Sequence, residues 1–234
     1  MVFIKGVVMS KKKLIDNHMK FKESVGKKYI NLFKDLVENG QAPKSLFIGC
    51  SDSRVIPNLI TNTKPGDIFV TRNIGNFIPP YDPNRGACAT AAVIEYALMH
   101  LNVENIIVCG HTHCGACEAL FHKIPDNEDE GSLRKWMKFG EMARIEAEAL
   151  IGHANHKKLL RATEKFNVTQ QLNNLLTYPA VSHKVNEGEL HVMGWFYHIG
   201  SGSLDYFDPI EYRFLPLEHI NKNKETEDES SKHN

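Results

Sequence analysis

Three short apolar runs, at 45–50, 67–70 and 105–109, each end beside a polar, glycine-containing motif, and this pattern constrains the fold more than any other feature. Apolar stretches of strand length without polar alternation read as strands buried on both faces, the condition of a parallel sheet. Between the second and third runs lies Gly86 to His100, rich in alanine and long enough for a crossover helix. A strand, helix, strand unit of this kind joins parallel strands. The expected fold is therefore α/β, with a mainly parallel central sheet flanked by helices. In open sheets of this class sites gather at the carboxyl ends of strands, so the motifs that follow the first and third runs can meet although about sixty residues separate them.

The flanking segments fit that plan. From Leu14 to Asn39, the residues Leu14, Ile15, Met19, Tyr29, Leu32, Phe33, Leu36 and Val37 recur at roughly helical spacing, and Gly40 is a suitable stop. After Cys114 the stretches Ser132 to Ile151 and about Phe166 to Leu176 read as two helices with a polar segment between them. His191 to His198 and Leu204 to Phe207, joined through Gly200-Ser201-Gly202-Ser203, read as a hairpin. From Asn221 onward the chain is polar, with an acidic cluster at Glu225 to Glu229, and reads as a disordered tail. The expected organisation is one catalytic domain over 1–220 with an N-terminal helical arm, followed by the tail at 221–234.

Composition narrows the function classes. With 234 residues, 42% hydrophobic and 24% charged, the chain can bury one sizeable core. Its formal net charge is zero and no basic patch is interleaved with aromatics, which speaks against nucleic acid or an anionic membrane as partner. Met1 to Val8 is too short for a signal-peptide core and leads to Lys11-Lys12-Lys13 in place of a cleavage site; no run reaches the length of a membrane span. Five cysteines, an odd number, do not form a secreted disulfide framework, so a reducing cytoplasm is the expected location.

Two motifs carry chemistry: Cys50-Ser51-Asp52-Ser53-Arg54 and His111-Thr112-His113-Cys114. Thiolate and imidazole are ligands that Zn²⁺ prefers, and a set of three leaves a fourth tetrahedral position for water, as catalytic zinc sites require. Cys50 and Cys114 sit in polar motifs at strand ends, where a buried thiol gains little packing. Cys88 and Cys109, placed in the alanine-rich helix and the apolar strand, read as space-filling. Cys117 completes a Cys-x-x-Cys with Cys114, a pattern shared by zinc ribbons and redox pairs, but no second Cys-x-x-Cys exists to complete a ribbon. Asp52 and Arg54 form either a surface ion pair or a functional dyad, and their place beside a candidate ligand favours the dyad. Zinc neutralised by two thiolates is a weak Lewis acid, so its water needs a carboxylate acceptor, and Arg54 would keep Asp52 ionised and oriented. His113, His122, His153, His156 and His183 read as solvated, with a proton shuttle open among them.

These residues resemble the β-class carbonic anhydrases, from about Gln41 to the hairpin near Trp195. The Cys-x-Asp-x-Arg and His-x-x-Cys pair carries the resemblance, with Arg72-Asn73-Ile74-Gly75-Asn76, Pro79-Pro80 and Ile94-Glu95-Tyr96-Ala97 agreeing. The resemblance implies one Zn²⁺ per chain on Cys50, His111 and Cys114, an Asp52–Arg54 catalytic dyad, and reversible hydration of carbon dioxide to bicarbonate and a proton by zinc-bound hydroxide. It also implies a homodimer or tetramer. Gln41, Phe69 and Tyr96 stand where the plant-like, type I group has its substrate-pocket glutamine, phenylalanine and tyrosine; Phe47 stands where the bicarbonate-inhibited group has tryptophan. The amide of Gly115 is placed to face a bound anion. Two alternatives remain at this point: a carbon disulfide hydrolase on the same fold, and a non-catalytic zinc or bicarbonate-sensing module, against which the intact dyad argues.

Overall fold

The computed structural model of the chain describes residues 11–125 and 129–219. It divides into two compact units, one ending at Gln41 and one beginning at Ala42. The expected tail from Asn221 and the segment Met1 to Val8 lie outside the described residues. In the first unit Lys11–Glu23 (α1) and Val25–Asn39 (α2) are helical, and Gly40 ends α2 at φ 79°, a backbone conformation that suits glycine. Neither helix buries a residue, and Leu14, Ile15, Met19 and Ile30 are all exposed.

The second unit is built on a six-stranded sheet. Its strands are Ser45–Cys50 (β1), Ile68–Asn73 (β2), Asn105–His111 (β3), His191–Tyr197 (β4), Leu204–Asp208 (β5) and Arg213–Pro216 (β6). Their spatial order is β2-β1-β3-β4-β5-β6; the first four are parallel and the last two antiparallel. The α/β expectation holds, including the hairpin of β4 and β5, and the structure adds β6, whose four residues are too few for a pattern. The helices are Pro57–Thr61 (α3), Ala89–Met99 (α4), Gly115–Ala119 (α5), Gly131–Met137 (α6), Glu141–Ile151 (α7), His156–Leu176 (α8) and Pro179–Asn186 (α9). No described helix is long and apolar enough to cross a membrane.

Two expectations need correction. The helix expected over Ser132 to Ile151 is two, α6 and α7, separated by a 3₁₀ turn at Lys138–Gly140. The helix expected about Phe166 to Leu176 starts ten residues earlier, at His156, where the Asn155 side chain caps it by accepting from the Lys158 N–H at 3.0 Å. Its inward face carries Thr163, Glu164, Asn167, Gln171 and Asn174 among Leu159, Val168, Leu172 and Leu175. Polar residues at buried helical positions hide the apolar period on which the sequence reading relied.

Strand alternation sorts the core. Leu46, Ile48, Ile106 and Val108 point to one face and pack with Ile94 and Leu98 of α4 and Val168 and Leu172 of α8. Phe47, Ile107 and Cys109 point to the other face, beside the partly buried Val70, Met193, Trp195 and Tyr197. Each fully buried leucine or isoleucine stabilises by about 1.5–3 kcal/mol. The partly solvated ion pair that α8 makes to β5, Lys165–Asp205 at 3.3 Å, contributes about 1 kcal/mol at most, so packing and not charge sets the position of α8. That position is close: a Cβ on Gly110 of β3 would lie 2.5 Å from Val168 Cγ2, and one on Gly194 of β4 would lie 2.8 Å from Leu172 Cδ1. Glycine at 110 lets the helix backbone approach the strand that carries His111.

Candidate metal centre

The chain runs from β1 outward to β2, then crosses back through α4 to β3 on the other side of β1. The carboxyl ends of β1 and β3 therefore flank the point where the winding reverses, the usual place for a site. Gly49 pairs with Cys109, so Cys50 comes level with Gly110, one residue short of His111 on the neighbouring strand. The chain turns after His111 through Thr112 and His113, and Cys114 starts α5. The ligand atoms of Cys50, His111 and Cys114 lie within 4.8 Å of one another, and all three residues are buried.

The donor set suits a metal ion. His111 is 1% exposed, and its Nδ1 lies 3.0 Å from the Thr112 carbonyl oxygen. A carbonyl only accepts, so Nδ1 carries the proton and Nε2 is left as a bare lone pair. Nε2 is buried and has no hydrogen-bond partner among the described residues. A buried acceptor of that kind costs free energy unless something occupies its lone pair, and a cation between Nε2 and two thiol sulfurs does so. The Cys114 thiol and burial push the Cys50 pKa up to about 12, and the Cys117 thiol likewise pushes Cys114 well above the usual range. A dication at the centre reverses that order, because it stabilises both thiolates.

Beside these candidate ligands stand Asp52 and Arg54. Arg54 Nε donates to Asp52 Oδ1 at 2.9 Å and Nη2 donates to Oδ2 at 2.7 Å, a bidentate fork, while the Arg54 N–H donates to Oδ1 at 3.0 Å. Those donors hold the Asp52 carboxyl well below the usual carboxylate range, against an opposing effect of burial. Nη2 also donates to the His113 carbonyl at 3.0 Å, which ties the dyad to the ligand loop. Arg72 supports the same segment from β2: its Nε donates to the Cys50 carbonyl at 2.8 Å, and its Nη2 to that of Asp52.

The remaining cysteines sort differently. Cys109 is fully buried in β3, in line with a space-filling role. Cys88 is the residue before α4 and not within it; it is half-buried and lines a cleft of about 730 Å³ with Ser51, Asn73, Ile74 and Trp136. Cys117 lies against Cys114 but outside the three-ligand cluster.

The pocket residues are not all gathered. Gly115 follows Cys114 directly, and nothing lies within 4 Å of the position its Cβ would take. Phe69 pairs with Leu46 while Cys50 pairs with Asn73, so Phe69 sits four residues below the metal cluster, ~13 Å along the strand. Tyr96 of α4 packs on Phe69 in a tilted ring pair with centroids 5.9 Å apart and is 47% exposed. Gln41 belongs to the first unit. The sequence reading missed Glu164, which is 1% exposed and accepts from the Cys114 N–H at 2.9 Å. Burial pushes its carboxyl up to about 7 against the pull of those amides and of Arg161. An acidic residue in a mixed helix carries no local signal of such a role.

Comparison with known proteins supports the same reading. The family model described as carbonic anhydrase matches residues 45–204. A carbonic anhydrase of Synechocystis sp. is 40% identical over 222 residues, which cover 94% of this chain and 80% of that protein. The solved structure of the β-carbonic anhydrase CcaA superposes with a TM-score of 0.78 at 39% identity, covering 88% of this chain and 91% of that one. One of two tetrameric β-carbonic anhydrases from Sordaria macrospora superposes with a TM-score of 0.71 at 31% identity, covering 88% of this chain and 98% of that one.

Proposed function

The chain belongs to the β-class carbonic anhydrases and is a carbonate dehydratase, and from that premise we propose that Cys50, His111 and Cys114 hold one Zn²⁺ beside an Asp52–Arg54 dyad. The observation that carries this reading is the bare, buried Nε2 of His111 facing two thiols, next to a carboxylate already forked by arginine. When bound, Zn²⁺ supplies Lewis acidity that lowers the pKa of water.

The protein residues do the rest. Asp52, kept ionised by Arg54, accepts a hydrogen bond from the reacting water and orients its lone pair toward carbon dioxide. Arg54 spends two donors on Asp52 and so keeps that carboxylate from turning toward the cation. The same guanidinium fixes the His113 carbonyl, so dyad and ligands keep one relative geometry. Gly115 opens α5 with space around its Cβ position, and its amide would be a donor for a product oxygen.

Phe69 and Tyr96 stand too far from their own chain's cluster to wall its pocket, and they lie on an edge strand and an exposed helix position. We read them, with Gln41, as pocket residues completed across an interface between two copies. The exposed apolar side chains of α1 and α2 and the tetrameric relatives from Sordaria macrospora support a dimer or a multiple of it. Phe47 in place of tryptophan supports the plant-like, type I group, which works without bicarbonate inhibition.

Stopped-flow carbon dioxide hydration beside a carbon disulfide hydrolysis assay, on protein of measured zinc content, tests the reading. Hydration that depends on zinc supports it; hydrolysis of carbon disulfide alone, or neither reaction with zinc bound, overturns it.

A further inference from the structure

We infer that Glu164 is a positioning residue for the metal centre: its carboxyl group accepts the Cys114 N–H, faces that of His113, and fixes the loop that presents His111 and Cys114 to the metal. The inference rests on the reading of those residues as ligands and concerns what keeps them in place.

The ligand loop needs such a hold. Between His111 and Cys114 the chain turns through His113 in a left-handed conformation, φ 58°, which L residues rarely keep without support. Both sides of that residue are tied down. Its carbonyl accepts from Arg54 Nη2 at 3.0 Å, and its N–H faces Glu164, which takes the next N–H, that of Cys114, at 2.9 Å. One clamp comes from the dyad and the other from α8, fifty residues further along the chain.

Glu164 is also costly to place. Its side chain is fully buried, a state that a carboxyl group adopts only when its oxygens are satisfied. Arg161, one turn earlier and itself 27% exposed, supplies the opposing charge, and besides it the buried oxygens bind the Cys114 N–H. The same face of α8 continues the pattern toward the cleft: Asn167 Nδ2 donates to the Gly75 carbonyl at 2.9 Å, and Gln171 Oε1 accepts from the Ile78 N–H at 2.7 Å. Outer partners that orient metal ligands are worth about 10- to 100-fold in metal affinity or activity.

The test compares wild type, Glu164→Ala, Glu164→Gln and Arg161→Met. Zn²⁺ loss to a chromogenic chelator and the thiolate-to-metal absorption bands of the Co²⁺-substituted proteins are the readouts. Glu164→Ala should lose Zn²⁺ about 10- to 100-fold faster and shift the Co²⁺ bands. Glu164→Gln keeps an acceptor oxygen and should restore both readouts to near wild type. Arg161→Met removes the ion pair but not the clamp and should stay within about threefold of wild type, well inside the range expected for losing an outer partner. In the wild type, slow hydrogen exchange of the His113 and Cys114 amides checks the clamp without any substitution. Unchanged Zn²⁺ loss and Co²⁺ bands in Glu164→Ala, an Arg161→Met effect equal to that of Glu164→Ala, or free exchange of both amides would each overturn the clamp while leaving the ligand assignment intact. A wild-type chain that takes up no Zn²⁺ would overturn both.

Discussion

Gly110→Ala probes whether the contact between β3 and α8 governs the metal centre as well as the core. The added Cβ would lie 2.5 Å from Val168 Cγ2, 3.4 Å from the Glu164 carbonyl oxygen and 3.5 Å from Phe196 Cδ2. Ordinary carbon contacts are about 3.5–4.0 Å, so strand and helix must separate by ~1 Å. Overpacking of this size costs about 1–3 kcal/mol. Glu164 lies one turn from Val168, so the same shift stretches its 2.9 Å bond to the Cys114 N–H beyond the working range of about 3.2 Å. Two buried polar groups then lose a partner, for a further ~1–3 kcal/mol. The expected total is ~2–6 kcal/mol of folding stability, with weaker zinc retention.

Val168→Ala in the same chain removes the offending methyl group. Alone it should cost ~1–3 kcal/mol through the cavity it leaves. Combined with Gly110→Ala it should recover much of the loss, a coupling of ~1–3 kcal/mol in the stabilising direction. Urea unfolding of the metal-free proteins at one protein concentration measures the packing effect, and zinc content after dialysis measures the effect on the site. A Gly110→Ala protein as stable as wild type, or two effects that simply add, would refute the argument that the helix has no room to spare.

Other perturbations separate ligands from helpers. Cys50→Ser, His111→Ala and Cys114→Ser should each lose most of about one Zn²⁺ per chain, whereas Cys117→Ser keeps it; zinc analysis of the purified proteins decides, and the reverse order for Cys114 and Cys117 would overturn the ligand assignment. Chelation should lower the thermal midpoint of the wild type but not that of Cys114→Ser, since a ligand that binds only the folded chain stabilises it. Asp52→Asn and Arg54→Ala should keep zinc yet lose carbon dioxide hydration by about 10²-fold or more, and near-native turnover of zinc-loaded Asp52→Asn would defeat the role given to Asp52. Activity should vary smoothly with pH near neutrality and ignore added bicarbonate, because Phe47 is fully buried and its ring has no N–H to offer an anion. A steep shutdown enhanced by bicarbonate would contradict the type I placement.

The parts of the fold that could be read in the sequence are those whose signal is local. β1 is an uninterrupted apolar run and ends at Cys50, as its pattern indicates. The strands before and after the crossover continue past their apolar cores, through Thr71 to Asn73 and through Gly110 and His111, because backbone pairing with β1 and β4 carries on where the side chains turn polar. Cys50, His111 and Cys114 could be named because thiol and imidazole at strand ends have few other uses, and parallel register then brings them to one level. Phe69 and Tyr96 show the limit of that reasoning: family position marks them as pocket residues, yet a register four residues away from Cys50 separates them from the cluster within one chain.

Glu164 could not have been found in that way, for a physical reason. A buried carboxyl is recognised by what surrounds it, and its amide partner, the N–H of Cys114, lies about fifty residues earlier and comes from backbone, which every residue type provides. The approach that joins them depends on the absence of a side chain at Gly110, and a glycine before a histidine gives no hint of which helix will use the space. Ligand identity is a property of residue type and so stays visible in one dimension. Ligand geometry here depends on a left-handed His113 held by Arg54 on one side and by α8 on the other, a relation that exists only after the crossover has been folded. It follows that substitutions outside both motifs, at 110, 164 or 168, should alter metal retention as strongly as many changes inside the motifs, and with no change in the ligand set.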